Sequence, residues 1–169
     1  KSSSVGSLLV SDVSASFSYV EKYKKLTSSL VKSAQRHNSQ VIMVTSVSEH
    51  EGKSTVAANI ALTLQKQGEK VILVDCDLRR PSLAKMFNIQ VKPGTSFSEV
   101  LSGTSELSND CLYISKDTQL PLLLCRRGSS NSTEFLYNAE FSRVLGVLRQ
   151  SADYIILDTP PMSLMADAE

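Results

Sequence analysis

The sequence has no excess of charge of either sign, because 18 Lys and Arg residues balance 17 Asp and Glu residues in a chain of 169. Without a basic field, nucleic acid and anionic lipid are not expected partners. The three cysteines form no CxxC pair and no Cys/His cluster, so the sequence suggests neither a disulfide framework nor a zinc site. We expect Cys76, Cys111 and Cys125 to be small packing residues in a reduced core. No apolar run is long enough to cross a bilayer.

The sequence does contain enough apolar residues for one folded domain, since they make up 41% of the chain. Residues 1–16 are rich in serine and lack a periodic pattern, so we interpret them as a linker or arm. Residues 17–169 are assigned to a single domain. The chain begins at Lys1 rather than Met and ends soon after its last apolar run, and we expect the parent protein to be longer.

Short apolar runs alternate with amphipathic segments along this domain. Runs of four or five residues are long enough for strands and too short for helices, and they are typical of strands buried on both faces of a parallel sheet. The predicted strands cover residues 41–44, 71–74, 120–124 and 154–157, and the predicted helices cover residues 17–35, 53–67, 81–87, 97–101 and 133–150. The first helix is predicted to bury one apolar face, formed by Phe17, Val20, Leu26, Leu30, Val31 and Ala34. The alternation predicts a doubly wound α/β fold with a mostly parallel sheet.

A glycine-lysine-serine sequence follows the first predicted strand and opens a predicted helix. In that setting Gly52, Lys53 and Ser54 form the core of a phosphate-binding loop. Gly52 allows a close backbone approach to a phosphate, Lys53 supplies a positive charge, and Ser54 offers a hydroxyl to Mg²⁺. Val47 occupies the position of the usual first glycine, so the strict motif is incomplete. The alternative interpretation is an ordinary helix start.

Three aspartates follow predicted strands directly. Asp75 and Asp77 come after residues 71–74, and Asp158 comes after residues 154–157. Taken singly, each is compatible with helix capping, surface charge or a turn. Ligands of open α/β sheets bind beyond the carboxyl ends of the strands, so all three carboxylates are expected near the phosphate loop. Carboxylate and hydroxyl oxygens suit Mg²⁺ bound to ATP, and together these residues predict a nucleotide site.

These motifs resemble those of the bacterial tyrosine kinases that control capsule and exopolysaccharide export. The Asp-x-Asp-x-Arg sequence from Asp75 to Arg79 is similar to their second Walker motif, and residues 51–55 and 158–161 are similar to their Walker A and Walker B endings. The resemblance implies a P-loop NTPase fold of the MinD type. Members of this family continue beyond Walker B, so the resemblance also implies that the C-terminal strands are missing from this chain.

The resemblance implies an activity as well, namely ATP- and Mg²⁺-dependent tyrosine phosphorylation that includes autophosphorylation. It assigns Lys53 to phosphate, and it assigns Asp75 as the base, although the division of roles between Asp75 and Asp77 stays open. The nucleotide-binding residues implied by the resemblance are Glu51, Gly52, Lys53, Ser54 and Thr55, and the implied metal ligands are Ser54, Asp77 and Asp158.

The implied partners are a transmembrane polysaccharide copolymerase or adaptor, separate or fused, and tyrosine-containing protein substrates. The implied location is cytoplasmic, at the inner face of the plasma membrane. The family assembles rings through a Glu-x-x-Arg-x-x-Arg helix. Here Glu21 is present, but Lys24 and Thr27 stand where the arginines fall, so ring assembly is expected to be weakened.

Two other functions fit the same motifs. One is an ATPase switch of the Min/Par type, which shares the fold but carries a signature lysine where this chain has Ser48. The other is a nucleotide-binding regulator of a membrane polysaccharide copolymerase that transfers no phosphate.

Overall fold

The computed structural model describes residues 8–47, 52–126 and 138–161. Its helices are α1 Phe17–Arg36, α2 Lys53–Lys66, α3 Leu83–Met86, α4 Phe97–Ser102 and α5 Ala139–Ser151. Its strands are β1 Val41–Val44, β2 Val71–Asp75, β3 Leu112–Ile114, β4 Pro121–Leu123 and β5 Tyr154–Asp158. No helix in these three stretches has the length and apolar character needed to cross a lipid bilayer.

The strands form one sheet in the order β1-β5-β2-β4-β3. All neighbouring pairs are parallel except β3 with β4, which is antiparallel. One hydrophobic cluster joins the sheet to α4 and α5, and a second joins it to α1 and α2. Helices therefore cover both faces, and the predicted doubly wound, mostly parallel α/β fold is confirmed.

The register of the sheet aligns the ends of three strands. Val44 of β1 lies opposite Asp158 of β5, and Asp158 lies opposite Asp75 of β2. Two backbone bonds continue this alignment beyond the strands, because the Cys76 N–H donates to the Asp158 carbonyl and the Thr159 N–H donates to the Val44 carbonyl. The loops that carry the predicted site residues therefore begin next to one another, at the same edge of the sheet.

The sheet differs from the sequence prediction at both edges. β3 has only three residues, Leu112–Ile114, and was not predicted, because so short a strand carries little pattern. β1 was predicted to be buried on both faces, but Met43 is 50% exposed. The reason is its position, since β1 pairs with β5 on one side only among the described strands.

Two helix predictions also need correction. On α1, the buried face includes Leu30, Val31 and Ala34, which belong to the predicted face and pack into the cluster shared with α2. Phe17 is 82% exposed and Leu26 is 41% exposed, so these two residues lie off that face, which instead includes the fully buried Thr27. Helix α5 begins at Ala139, where the side chain of Asn138 caps the helix by accepting from the Glu140 N–H, and the predicted start in residues 133–137 lies outside the described residues.

Part of the predicted linker or arm is held against the domain. Asn59 of α2 accepts a hydrogen bond from the Val10 N–H at 2.9 Å, and its amide donates to the Leu8 carbonyl at 3.0 Å. The hydroxyl of Tyr19 donates to the same carbonyl at 2.7 Å. The segment that precedes α1 therefore has specific contacts with α1 and α2. The three cysteines are buried free thiols, as predicted.

Candidate functional site

The first turn of α2 supplies the positive end of the site. Gly52 is the N-cap residue with φ of 74°, a left-handed conformation that glycine adopts without strain. A Cβ at this position would meet no atom within 4 Å, so backbone conformation and not space selects glycine. Because the N-cap residue is a glycine, it has no side chain that could accept from the first turn. Among the described residues, the first N–H groups of the helix therefore meet no competing acceptor from their own cap.

Lys53 connects α2 to the acidic strand ends. Its Nζ lies 2.8 Å from Asp158 Oδ1 and 3.4 Å from Asp77 Oδ2. Burial acts to lower the pKa of the Lys53 ammonium, but the charges of Asp158, Asp77 and Asp75 together raise it above its ordinary value. Lys53 is therefore firmly charged, and its charge is directed at the carboxyl ends of β2 and β5.

Asp158 also contacts the residue after Lys53. The Ser54 hydroxyl donates to Asp158 Oδ2 at 2.6 Å, so the two carboxylate oxygens of Asp158 bind different groups of α2. Burial raises the pKa of the Asp158 carboxyl, and the contacts with Lys53 and Ser54 act in the opposite direction. A hydroxyl and a carboxylate at this separation are a suitable pair of oxygen donors for Mg²⁺.

Asp75 is fully buried, and its carboxylate organises the loop that follows β2. Its Oδ1 accepts from the Asp77 N–H at 3.1 Å, and its Oδ2 accepts from the N–H groups of Ser82 at 3.2 Å and Leu83 at 3.3 Å. Burial and the charge of Asp158 raise the pKa of Asp75 well above its usual range, against the effect of these hydrogen bonds. The contacts of Asp75 are those of a residue that fixes backbone.

Asp77 lies nearer to the surface than Asp75. Its Oδ1 accepts from the Arg80 N–H at 3.2 Å, which leaves Oδ2 directed at Lys53. Of the three aspartates, Asp77 is the one that solvent reaches, although only 7% of it is exposed. Arg79, the last residue of the Asp-x-Asp-x-Arg motif, is exposed, and no ion pair joins it to an aspartate within the described stretches.

The site contains one residue that the sequence analysis did not identify. The hydroxyl of Ser82, the N-cap residue of α3, donates to the Ser54 hydroxyl at 2.7 Å. Ser82 directly follows Pro81 at the end of the loop that begins with Asp75. A serine in the first turn of a short predicted helix is typical of an ordinary helix start, so its contact with the phosphate loop becomes visible only when the loop is folded back.

The convergence expected from the sequence is present. Lys53 and Ser54 lie among the carboxylates of Asp75, Asp77 and Asp158, while Gly52 and Thr55 lie at the start of the same helix. Glu51 lies outside the described residues. Across residues 8–47, 52–126 and 138–161, no group of three or more His, Cys, Asp or Glu residues is arranged to hold a metal ion by itself. The individual roles of these side chains remain predictions.

The donor set is compatible with a magnesium-bound nucleotide. Mg²⁺ prefers oxygen ligands and is usually held by one or two carboxylates or hydroxyls together with phosphate oxygens and water. Ser54, Asp77 and Asp158 supply such oxygens beside a charged lysine and the start of a helix. The same surroundings favour an anion at α2 and a hard cation at the strand ends.

Comparison with known proteins identifies the group to which this site belongs. A family model described as ParA, NUBPL iron-transfer P-loop NTPase, matches residues 37–164. The chain belongs to the ParA family of P-loop NTPases. The matched region of this ParA-family chain includes β1, α2, β2 and β5, which are the elements that carry the site. The iron transfer in the description is a property of the proteins after which the model is named.

The relatives within this family include bacterial tyrosine kinases. The ParA-family chain is 37% identical over 132 residues to the tyrosine-protein kinase CpsD of Streptococcus pneumoniae serotype 4, a match that covers 76% of the chain and 56% of CpsD. It also superimposes on the crystal structure of the VpsO kinase domain with a TM-score of 0.69 at 35% identity, covering 88% of the chain and 75% of that domain. The resemblance drawn from the motifs is thereby confirmed.

A third similar structure belongs to a protein that is not named as a kinase. The septum site-determining protein MinD of Pyrococcus horikoshii, solved in complex with Mg-ADP, has a TM-score of 0.60 at 26% identity and covers 75% of this ParA-family chain and 54% of its own. The P-loop NTPase fold predicted from the sequence is confirmed. The chain spans a little over half the length of the CpsD protein that it matches.

Proposed function

We propose that this chain is the nucleotide-binding part of an ATP-dependent protein tyrosine kinase that acts in capsule or exopolysaccharide synthesis and export. The observation that carries the proposal is the meeting of Lys53 and Ser54 with the three aspartates at one end of the sheet. A lysine beside a helix start binds phosphate oxygens, and adjacent hydroxyl and carboxylate oxygens hold magnesium. The kinship with CpsD and VpsO supports phosphate transfer to tyrosine.

In this proposal the nucleotide phosphates lie against the first turn of α2. Gly52 and Thr55 lie at the helix start around the phosphates, and Lys53 binds phosphate oxygens. Glu51 is proposed to bind nucleotide as well, from the resemblance alone, because it lies outside the described residues. Ser54 and Asp158 would hold Mg²⁺, directly or through water, and Asp77, the third metal ligand implied by the resemblance, is given another role. When bound, Mg²⁺ neutralises negative charge on the phosphates. The complex of MinD with Mg-ADP supports the same pair of ligands for this chain.

The contacts of the two neighbouring aspartates support different roles. The sequence favoured Asp75 as the base, but both oxygens of Asp75 accept backbone N–H groups in a fully buried position. A general base needs to reach the proton that it removes. Asp77 is the more accessible carboxylate and has one oxygen turned toward Lys53. We therefore propose Asp77 as the base for the acceptor hydroxyl and Asp75 as the residue that holds Asp77 in position.

The proposed setting is the cytoplasmic face of the plasma membrane. A transmembrane copolymerase or adaptor, separate or fused, would bring the chain to the export machinery, and tyrosine-containing proteins would be its substrates. These assignments rest on the family resemblance. Ring formation through α1 has less support, because Thr27, which stands at the position of the second arginine, is fully buried and unable to reach a neighbouring subunit.

The proposal is tested by following the γ-phosphate of labelled ATP in the presence of a tyrosine-rich peptide. The expected result is phosphotyrosine on the peptide, dependent on Mg²⁺. Asp77→Asn should lower the rate of phosphate transfer roughly 100-fold while it leaves the affinity for nucleotide near that of the wild type, whereas Asp75→Asn should weaken the binding of nucleotide as well. Equal rates of phosphate transfer in the wild type and Asp77→Asn would exclude Asp77 as the base.

The same experiment separates the proposed kinase from an ATPase switch. The likeness to MinD favours the second function, in which the label appears as free phosphate and none reaches tyrosine. A protein that binds Mg·ATP but releases no label to either acceptor would be a nucleotide-dependent regulator. Label on tyrosine excludes both of these alternatives.

A further inference from the structure

Ser82 is joined to the proposed metal ligand by a short hydrogen bond whose direction is defined. The Ser82 hydroxyl donates to Ser54 Oγ at 2.7 Å, and the Ser54 hydroxyl donates to Asp158 Oδ2 at 2.6 Å. The three side chains come from α3, α2 and β5, so the chain of hydrogen bonds crosses the site between separate elements. None of the motifs that identify the phosphate loop and the acidic strand ends includes Ser82.

The position of Ser82 is fixed from its backbone side. Asp75 Oδ2 accepts the N–H groups of Ser82 and Leu83, and Asp75 is fully buried. The side chain of Ser82 is therefore carried by a loop that is anchored at the end of β2. The hydrogen bonds from this loop to Asp75 therefore also place the Ser82 hydroxyl against Ser54.

A count of hydrogen-bonding capacity shows what this contact does to Ser54. A serine hydroxyl has one hydrogen to donate and two lone pairs to accept with. Asp158 takes the hydrogen of Ser54, and Ser82 takes one lone pair. One lone pair remains, and its direction is set by the other two bonds.

We propose that Ser82 is a positioning residue for magnesium, acting by orienting the Ser54 hydroxyl so that its remaining lone pair serves the metal. This inference rests on the proposed Mg·nucleotide function of the same site. Without Ser82 the Ser54 hydroxyl keeps its bond to Asp158 but loses a contact that holds the torsion angles of its side chain, so the direction of its remaining lone pair is less well fixed. Magnesium binding then has to order the hydroxyl itself, and the metal contributes less to nucleotide affinity.

The test compares the affinity for ADP with Mg²⁺ and with a chelator, measured by calorimetry on the whole chain. The ratio of the two affinities gives the contribution of the metal. Ser82→Ala should reduce this ratio about fivefold, the effect of one ordinary hydrogen bond, and should leave the affinity in chelator within about twofold of the wild type. Ser102→Ala, which removes an exposed hydroxyl on α4, is the matched control and should change neither value.

A second pair of variants keeps the test decisive if Ser82→Ala folds poorly. Threonine and valine have nearly the same shape, so Ser82→Thr and Ser82→Val differ mainly in the hydroxyl. The threonine variant should retain the Mg²⁺ contribution and the valine variant should lose it. Equal Mg²⁺ contributions in these two variants, or an equal loss of affinity with and without the metal, would overturn the inference. A wild type that binds no ADP at all would overturn the proposed function, and the inference with it.

Discussion

The nucleotide-site end of the sheet and the outer surface of α1 use charge in opposite ways. At the site, Lys53, Asp75, Asp77 and Asp158 are withdrawn from solvent and in contact with one another or with backbone N–H groups. On α1, an ion pair joins Lys24 to Glu21 at 3.0 Å, one turn apart on an exposed surface. Removal of one buried charge leaves its partners unsatisfied, whereas water replaces an exposed partner readily.

The same two regions also differ in how closely they match the motifs of the bacterial tyrosine kinases. The site residues match the Walker motifs and converge in the structure. On α1, lysine and threonine stand at the positions of the two arginines of the assembly motif, and Thr27 is fully buried. Under the proposed function, nucleotide binding and ring assembly would therefore depend on different parts of this chain. The difference also predicts large effects at the site and small effects on α1.

The largest effect is expected from Lys53→Met. This change removes the charge that contacts Asp158 and Asp77 and that is proposed to bind phosphate, so ATP affinity should fall on the order of 100-fold. Lys66→Met, in the last turn of the same helix, is the control and should bind ATP like the wild type. Calorimetric titration with Mg·ATP measures both, and circular dichroism verifies that both variants are folded. If Lys53→Met bound ATP as tightly as the wild type, the buried charges at the site would be no more important than the exposed charges on α1, and the contrast would be wrong.

An intermediate effect is expected in the pH dependence of stability. The folded state raises the pKa of Asp75 well above its ordinary value of 3.8, chiefly by burial and then by the charge of Asp158. Between these two pKa values the folded chain holds a proton that the unfolded chain has released. The contribution of Asp75 to the free energy of unfolding is therefore full below pH 3.8 and is lost as pH rises through the folded pKa.

The variant Asp75→Asn isolates this contribution. The stability of the wild type relative to Asp75→Asn should decrease as pH rises from about 5 to about 8, because the variant has no proton to lose there. Urea unfolding at a series of pH values provides the measurement. A constant or increasing difference over this range would mean that the Asp75 carboxyl is not perturbed in the direction described.

The smallest effect is expected from Lys24→Ala. An exposed ion pair between residues three positions apart contributes little, so the free energy of unfolding should change by less than about 0.5 kcal/mol. The sedimentation coefficient should stay the same as well, since α1 lacks the arginines of the assembly motif. A change of oligomeric state in Lys24→Ala would show that the lysine takes over the role of the arginine. The expectation that changes on α1 have small effects would then be wrong.

The parts of the fold that the sequence predicted are those with a strong local signal. The runs at residues 71–74 and 154–157 are fully buried strands, and the carboxylates that follow them meet as expected because parallel strands end at one edge. Gly52 marked the start of α2 by its place between a strand and an amphipathic helix. These features depend on a few adjacent residues, so a single sequence contains them.

The parts that the sequence did not predict depend on contacts between distant residues. The exposure of Met43 follows from the place of β1 in the sheet, and the burial of Thr27 in place of Leu26 follows from the packing of α1 on α2. Ser82 reaches Ser54 only because Asp75 folds the loop back. The preference for Asp75 as base had a similar origin, since the three N–H groups that its carboxylate accepts are not visible in the sequence.

The account depends most on the claim that α2 and the strand ends form one Mg·nucleotide site. A crystal structure of the chain with Mg·ADP tests it directly. We predict a phosphate oxygen within hydrogen-bonding distance of Lys53 Nζ and Mg²⁺ about 2.1 Å from Ser54 Oγ, with Asp158 beside it. A nucleotide bound elsewhere, or a metal that contacts neither Ser54 nor the aspartates, would contradict the account.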